Sequence, residues 1–369
     1  MLIRGLIHRA FWTLIVSLFA VKCQKSPQQW TDIDGYPEGD YFDYEFEKPM
    51  KSEVFADYKR FAETARTLKK LGMIVFDYFC FEDNECWTVV LNTKPKERLF
   101  QYYAVYPLST FYMLAGTRLN KDGSLSNVSP SVYIQFYVAA PFVFNNLDYK
   151  SKAPVRIFTS GLGFGGLAKN LIAINKNMHI TGVELMPETV YIGKKWLGFV
   201  ENDQVDIHYS DSTLFIKEAA ENGTKYNYIF LDLCYNDVKP KYKTLCPINE
   251  YLEEDVIQYN YDTLTEDGLL AMNVIDNIKY PSMERLMVKT LYEKVFKWCE
   301  LYMVVHNSMM VCGKKSRPKV ADIKKRFNEL DPELKAYFVD VNLKTLTPDK
   351  DQSIDTKTKK PEDKKNDEL

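Results

Sequence analysis

The chain has 369 residues, of which 46% are hydrophobic and 27% charged, as in an ordinary globular protein with a buried core. Its 48 basic and 50 acidic residues give no strongly basic surface, which argues against nucleic acid as a partner. In the leader, residues 1–23, Arg4 and Arg9 precede an apolar run that is short for a membrane span. We predict a signal peptide cleaved after Ala20 or Cys23, leaving no stable membrane span; an uncleaved anchor is the alternative.

Residues 24–150 form the predicted N-terminal region, which contains a helix and an antiparallel β region. A polar loop comes first, and apolar residues then recur at helical spacing over residues 48–72. Residues 73–119 contain four β-rich runs separated by turn residues, which predicts a small antiparallel sheet. Residues 132–145 are almost continuously apolar and predict a buried helix despite Pro141. This region is expected to shape the side of the site that binds an acceptor, or to form a homodimer contact.

From residue 153 onward, β-rich and helical segments alternate, which predicts a parallel sheet covered by helices on both faces. Strands are expected at residues 155–158, 180–183, 205–209, 228–231, 269–274, 301–305 and 309–312. Helices are expected at residues 167–175, 188–199, 213–221, 250–264 and 283–298, with one or two closing helices in 321–346. We therefore assign residues 151–346 to an α/β, Rossmann-like domain.

The chain ends in a charged tail, residues 347–369, that contains almost nothing to bury and is expected to be disordered. Its last four residues are Asn-Asp-Glu-Leu, which differ from the K-D-E-L retrieval signal only in the first position. Two sequons begin at Asn127 and Asn222 and are candidate glycosylation sites. Leader, tail and sequons together predict a protein of the endoplasmic reticulum lumen, held there by a retrieval receptor, or a secreted protein.

Six cysteines lie outside the leader, and their even number fits an oxidising compartment. They fall into three sequence-close pairs, Cys80 with Cys86, Cys234 with Cys246, and Cys299 with Cys312. We predict three local disulfides. Zinc binding is the alternative, but no C-x-x-C or paired-histidine spacing supports it, so no metal is assigned.

The main chemical motif is the segment Gly-Leu-Gly-Phe-Gly-Gly at residues 161–166, between the first strand and the first helix of the alternating region. Such a turn needs glycines because a side chain would block the close approach of a ligand, and the helix that follows presents unpaired N–H groups. We predict that Gly161, Gly163 and Gly165 form a nucleoside-binding turn. NAD remains among the candidate ligands.

Acidic residues follow the next three strands. Glu184 ends the second strand, where an acid bonds the ribose hydroxyls of a bound nucleoside. Asp211 and Ser212 follow the third strand and are candidates for contact with an adenine amino group; a helix N-cap is the alternative for Asp211. Asp232 ends the fourth strand, at the sheet edge where ligands bind, and is the candidate catalytic residue. A cap or loop contact is its alternative.

The stretch 155–313 resembles the spermidine-synthase-like class I methyltransferases, which include elongation-factor lysine and N-terminal methyltransferases. Besides the glycine motif, the resemblance rests on residues 183–187, 196–199, 211–212, 229–232, 246–247 and 264–268. It covers a little under half of the chain. The resemblance implies a seven-stranded sheet whose last two strands form an antiparallel pair. It also implies that Gly161, Gly163, Glu184 and Asp211 bind S-adenosylmethionine, with Asp232 facing the reaction.

The sequence departs from the family pattern at two positions. Thr159 and Ser160 stand where family methyltransferases often carry an acid, and Tyr235 stands where aminopropyltransferases carry a second acid; Asp237 lies two residues further on. We expect an S-adenosylmethionine-dependent methyltransferase acting on a protein or small-molecule acceptor. The alternatives are an inactive luminal binding or structural protein with this fold, and a polyamine aminopropyltransferase.

Overall fold

The computed structural model describes most of the chain from residue 66 to residue 349. The described residues are 66, 68–70, 72–80, 86–93, 101–107, 113–235, 244–276, 283–305 and 307–349. The predicted leader, most of the predicted helix at 48–72 and nearly all of the tail lie outside them. Among the described residues, no helix combines the length and apolar composition needed to cross a membrane.

The chain divides into two units, residues 1–124 and residues 125–369. The sequence analysis placed the boundary at 150/151 and assigned the buried helix at residues 132–145 to the N-terminal region. With the division at 124/125, this helix is part of the second unit. The first unit contains an antiparallel sheet in the order β1-β2-β3-β4. Its strands are β1 Met73–Cys80, β2 Cys86–Asn92, β3 Tyr102–Pro107 and β4 Ala115–Arg118. The small antiparallel sheet predicted at 73–119 is therefore present.

The second unit is built on a sheet in the order β11-β12-β10-β8-β5-β6-β7, with the short β9 paired to β10. Its strands are β5 Val155–Ser160, β6 Met178–Glu184, β7 Val205–Tyr209, β8 Tyr226–Leu231, β9 Thr244–Cys246, β10 Leu264–Asp276, β11 Trp298–Val304 and β12 Asn307–Gly313. The five adjacent strands β10, β8, β5, β6 and β7 are parallel. Strand β12 runs antiparallel to both of its neighbours, β10 and β11. This is the predicted seven-stranded arrangement, with β9 added.

Helices join the strands as the alternating pattern predicted. They are α1 Val132–Asn145, α2 Gly166–Ile174, α3 Pro187–Trp196, α4 Ser212–Glu221, α5 Glu254–Thr263, α6 Met283–Glu293, α7 Val320–Glu329 and α8 Pro332–Lys335. The helix predicted at 250–264 instead starts as a 3₁₀ turn, Asn249–Leu252, and α5 begins only after Glu253 in extended conformation.

The helix predicted at 283–298 was too long. It ends at Glu293, and Trp298 is already the first residue of β11. Apolar residues continue past the helix end at Val295 and Phe296, so the periodicity alone does not mark the end. Pairing of β11 with β12 along its whole length decides the conformation there, because tertiary contacts outweigh local helix preference.

The sheet separates two hydrophobic cores, since successive side chains of a strand point to opposite faces. Ile157 of β5 packs in one core with residues of α1 and α2, among them Phe136 and Leu171. Phe158, the next residue, packs in the other core with α4 and α5. Helix α1 is buried along most of its length, as its continuous apolar sequence predicted. The sheet is therefore covered on both faces, and ligand access is expected at its carboxyl edge.

Candidate functional site

Strand β5 is the point where the strand order reverses, because β6 follows it on one side and β8 lies on the other. The loops after β5 and β8 leave the sheet in different directions, and open α/β sheets bind ligands in the crevice this creates. Ser160 and Leu231 are register partners at the ends of these two strands. The glycine motif and Asp232, which follow these two residues, thus lie side by side.

The glycine turn is packed against the sheet at one point and leaves space at another. Gly161, with φ +77°, lies so close to β8 that a Cβ there would be 2.4 Å from the carbonyl oxygen of Asp232. Gly165 precedes α2, and a Cβ there would meet the ring of Phe199 at 2.3 Å. At Gly163, with φ +55°, no described atom lies within 4 Å of the Cβ position. The turn is therefore held tightly in place while its middle residue leaves room for a ligand.

Glu184 ends β6 and bonds directly to that open turn. Its Oε2 accepts the N–H of Gly163 at 2.7 Å, and its Oε1 accepts the N–H of Met186 at 2.9 Å. Burial raises the pKa of Glu184, and these backbone hydrogen bonds partly counteract the rise. Each carboxylate oxygen can accept more than one hydrogen bond, so the group can still receive hydroxyl donors from a ligand beside Gly163.

Asp211 caps helix α4. Its Oδ1 accepts the N–H of Thr213 at 2.8 Å and the hydroxyl of Thr213 at 2.7 Å. This is the N-cap role that the sequence analysis held open as the alternative to a ligand contact. The side chain is exposed at the carboxyl edge of the sheet, and its assignment to a cofactor stays a prediction.

A chain of buried hydroxyls links Ser160, at the end of β5, to Ser212, at the start of α4. Ser160 Oγ lies 2.6 Å from the hydroxyl oxygen of Tyr251, which donates a hydrogen bond to Ser212 Oγ at 3.0 Å. Tyr292 in turn donates to the carbonyl of Tyr251. Neutral hydroxyls that satisfy each other therefore lie at the end of β5, where Ser160 stands. Tyr251 was missed by the sequence analysis because it reaches the site from the distant 3₁₀ turn.

Asp232 is surrounded by hydrogen-bond donors. The amide Nδ2 of Asn273, on β10, donates to Asp232 Oδ1 at 3.0 Å, and interaction with the hydroxyl of Tyr133 on α1 favours the ionised carboxylate and lowers the pKa of Asp232. Tyr137, one turn further along α1, donates to the carbonyl of Leu231 at 2.6 Å. Burial raises the pKa of Asp232 to about 6, and the negative charge of Glu184 adds to this rise. A carboxyl group with this pKa can exchange a proton near neutral pH.

Neither Tyr133 nor Asn273 was predicted as a site residue. The sequence showed Tyr133 and Tyr137 only as members of a buried helix, although their i, i+4 spacing places both on one face. Asn273 interrupts an otherwise apolar strand, and a polar residue at such a position is a usable signal. Both reach Asp232 only through contacts between elements far apart in sequence.

Two of the predicted disulfides are present. Cys234 and Cys246 are bonded, with their Cα atoms 4.4 Å apart, and join the loop after Asp232 to β9. Cys299 and Cys312 are bonded across the register of β11 and β12. Cys80 and Cys86 are register partners in the β1–β2 hairpin, but their side chains lie outside the described part. The bridge between Cys234 and Cys246 therefore anchors the loop after Asp232, at the rim of the site.

Tyr235, three residues after Asp232, bonds to the 3₁₀ turn at residues 249–252. Its hydroxyl accepts the N–H of Asn249 at 3.0 Å and donates to Glu250 at 3.3 Å. It thereby connects the rim of the site to the 3₁₀ turn, a structural role that provides no negative charge. Asp237 lies outside the described residues.

Apolar side chains are exposed at the same carboxyl edge. Leu185, which follows Glu184 directly, is 72% exposed, and Leu214 in the first turn of α4 is also largely exposed. Tyr209, half-exposed, is the register partner of Glu184 at the end of β7. Exposed apolar groups beside a ligand-binding edge are what a flat heterocycle could cover.

Both sequon asparagines are accessible. Asn127 is exposed in a loop, and Asn222 is exposed at the C-terminal end of α4, away from the carboxyl edge of the sheet. The geometry therefore permits their modification, and glycosylation stays a prediction.

No protein-family model matches the chain. The chain is similar to the eEF1A lysine and N-terminal methyltransferase of Bos taurus, with 26% identity over 141 residues, and to the polyamine aminopropyltransferase of Vibrio vulnificus, with 22% identity over 145 residues. These matches cover 37% and 39% of this chain. They span only 20% of the bovine protein and 46% of the bacterial one, so the chain covers less than half of either relative.

Among solved structures, the chain is similar to the spermidine synthase of Thermotoga maritima. The TM-score is 0.50 at 16% sequence identity, and the match covers 74% of this chain and 84% of that one. A spermidine synthase in complex with the transition-state analogue AdoDATO matches with a TM-score of 0.50 at 15% identity. At these identities the likeness concerns the fold.

Proposed function

We propose that this chain, which has the class I S-adenosylmethionine-dependent methyltransferase fold and resembles the spermidine-synthase-like group, transfers a methyl group from S-adenosylmethionine to an amine. The observation that carries the proposal is the open turn at Gly163 beside the buried carboxylate of Glu184, at the reversal point of the sheet. A glycine turn without side chains, next to a carboxylate that accepts hydrogen bonds, suits a ribose and its attached groups.

The residues around the turn fit this cofactor. Gly163 leaves the space that a Cβ would otherwise occupy, Glu184 offers acceptor lone pairs for ribose hydroxyls, and exposed Leu185 offers an apolar surface for adenine. Asp211 lies at the same edge, and its second oxygen is a candidate acceptor for the adenine amino group. The cofactor supplies an electrophilic methyl group on a sulfonium, so the chain needs mainly to align donor and acceptor.

Asp232 is the group that we assign to the acceptor. An amine attacks a methyl group only through its unshared electron pair, so a protonated amine must lose its extra proton before it attacks. A carboxylate held by Tyr133 and Asn273 in a desolvated site attracts the cationic amine, orients it and takes up the proton. The N–C bond then forms as the S–C bond breaks, and the sulfur keeps the electron pair. The bovine relative is named as a lysine and N-terminal methyltransferase, and both of those acceptors are amines.

The proposal includes action in the secretory pathway. Its support is the two disulfides among the described residues, whereas the leader and the retrieval signal stay predictions. Disulfides persist in oxidising compartments and are uncommon in the cytosol.

Aminopropyl transfer is less well supported, although the Vibrio vulnificus relative is named for it. That reaction requires a second acid to position a polyamine, and Tyr235 occupies the corresponding position with its hydroxyl bonded to the neighbouring turn. An inactive descendant remains the alternative from the other class. The support for an inactive protein is that the neutral hydroxyls of Ser160, Tyr251 and Ser212 lie where family methyltransferases often carry an acid.

The experiment is methyl transfer from isotope-labelled S-adenosylmethionine to peptides that carry a lysine or a free N-terminus. We expect label on the amine with the wild type, and at least about a hundredfold less with Asp232→Asn. Asp206→Asn is the matched control, because Asp206 is exposed on β7 and bonds His208. Binding of cofactor without label transfer to any amine would favour the inactive alternative, and transfer from decarboxylated cofactor to putrescine would favour the aminopropyltransferase.

A further inference from the structure

Asn273 is a buried amide in the middle of the site. It is 2% exposed and lies on β10, in a strand whose neighbouring positions are apolar. Its Oδ1 accepts a hydrogen bond from Nδ2 of Asn307 at 2.9 Å, while its own Nδ2 donates to Asp232 at 3.0 Å. An amide side chain can present either its oxygen or its nitrogen to a neighbour. The donor from Asn307 holds the oxygen on one side, so the nitrogen must face Asp232.

Two of the three groups lie on paired strands, and Asp232 directly follows a third strand. Met272 of β10 is the register partner of Leu231 of β8, which places Asn273 and Asp232 next to each other just beyond that pair. Asn307 begins β12, which pairs with β10 along residues 269–274. Groups held on paired strands keep their geometry more accurately than groups on loops.

We propose that Asn273, locked by Asn307, is the positioning residue that keeps Asp232 ionised and correctly oriented for an incoming amine. The inference rests on the proposed function for the role of Asp232, but the geometry it invokes is independent of catalysis. Asn273 itself touches no reacting atom; it acts through the carboxylate.

The other groups that face Asp232 also affect the balance between its protonated and ionised forms. Interaction with the Tyr133 hydroxyl on α1 lowers the pKa of Asp232 and supports the ionised form, as the hydrogen bond from Asn273 does. Burial and the charge of Glu184 from β6 oppose it, and together these effects place the pKa of Asp232 at about 6. Tyr137 is engaged with the carbonyl of Leu231. The bridge that begins at Cys234 carries no charge. Asn273 therefore provides one of two interactions that keep this carboxylate ionised at neutral pH.

Two variants remove this support in different ways. Asn273→Leu keeps the size of the side chain and removes the donor. Asn307→Ala leaves Asn273 in place but frees its amide to turn its oxygen toward Asp232. We expect the first to lower the acid ionisation constant of Asp232 about tenfold and the second about threefold, because hydrogen bonds to charged groups are among the stronger ones. The double variant should change it no further than Asn273→Leu alone, since both act through one amide.

The test is a pH titration of the full chain with ¹³C-labelled aspartate, followed by NMR, in which Asp232→Asn identifies the Asp232 signal. The pH dependence of kcat/KM for methyl transfer is measured in parallel. Asn260→Leu is the matched control, because Asn260 is an equally buried amide whose Nδ2 bonds Val256 within α5. We expect the titration and the acid limb of the pH profile to move to higher pH together in the Asn273 and Asn307 variants and to stay unchanged in the control.

The outcomes separate this inference from the proposed function. An unchanged Asp232 titration in a folded Asn273→Leu protein overturns the inference even if the wild type is an active methyltransferase. A shifted titration in a chain that transfers no methyl group supports the positioning role and rejects the proposed function. If Asn273→Leu does not fold, Asn307→Ala decides, and an Asp232 titration equal to that of the wild type again overturns the inference.

Discussion

Replacing Gly163 with alanine, next to a matched replacement of Gly223, separates backbone strain from loss of the ligand space. Both glycines have positive φ, +55° and +68°, and neither has a described atom within 4 Å of its Cβ position. Both variants therefore suffer the same kind of strain, about 1 kcal/mol in the free energy of unfolding. Only Gly163 lies at the carboxyl edge of the sheet; Gly223 follows the C-terminal end of α4.

The expected difference appears when ligand is added. Ligand at about a hundred times Kd stabilises a protein by about 2.7 kcal/mol, and a tenfold weaker Kd reduces this to about 1.4 kcal/mol. We expect S-adenosylhomocysteine to stabilise the wild type and Gly223→Ala by the larger amount. Gly163→Ala should gain the smaller amount or less, because its methyl group occupies the space beside the Glu184 hydrogen bond.

The assay is chemical denaturation of the three proteins with and without the ligand at one fixed concentration. Equal ligand stabilisation of Gly163→Ala and Gly223→Ala would refute the placement of the cofactor at this turn. A much larger loss of stability in ligand-free Gly163→Ala than in Gly223→Ala would show that the space is already filled.

Four further results are expected. Glu184→Gln should lose about 1–3 kcal/mol of stability and bind S-adenosylhomocysteine more weakly, because its amide faces two backbone N–H donors; wild-type values in calorimetry and denaturation would contradict this. Because the pKa of Asp232 is raised to about 6, the folded chain holds a proton that the unfolded chain has released. As the pH rises from about 4 to about 6, the wild type should therefore lose up to about 3 kcal/mol relative to Asp232→Asn, and parallel stability curves would reject the raised pKa. Serine at both Cys299 and Cys312 should cost about 3 kcal/mol with no change in Kd, since this bridge lies at the far edge of the sheet; a changed Kd would be inconsistent with that. Asn222→Gln should remove the mass of one glycan from protein expressed through a secretory pathway, and a mass change equal only to the methylene group that the substitution adds would exclude glycosylation there.

The elements that the sequence predicted well are those with a single strong signal. Helix α1 was placed at its observed bounds because an apolar run of that length has few alternatives, even with Pro141 inside it. Strand β7 was also placed at its observed bounds, by β-rich residues between turn signals. The overlong helix at 283–298 shows the limit, since an apolar pattern continues where strand pairing begins.

Some residues of the candidate site could likewise be predicted from the sequence, and others could not. Gly163, Glu184 and Asp232 could be predicted because each ends or follows a strand of the parallel sheet, and topology alone brings such positions to one edge. Asn273 carries a signal, as a polar residue in an apolar strand, but that Asn273 and Tyr133 contact Asp232 could not be predicted, because it depends on how α1 and β10 pack around β8. Such contacts have no local pattern.

The central claim is that the turn around Gly163 binds the cofactor, and calorimetry of the wild-type chain with S-adenosylhomocysteine tests it most directly. We predict saturable binding of one ligand per chain, with Kd in the micromolar range. No detectable heat of binding with ligand up to about 1 mM, in protein shown to be folded, would contradict the account.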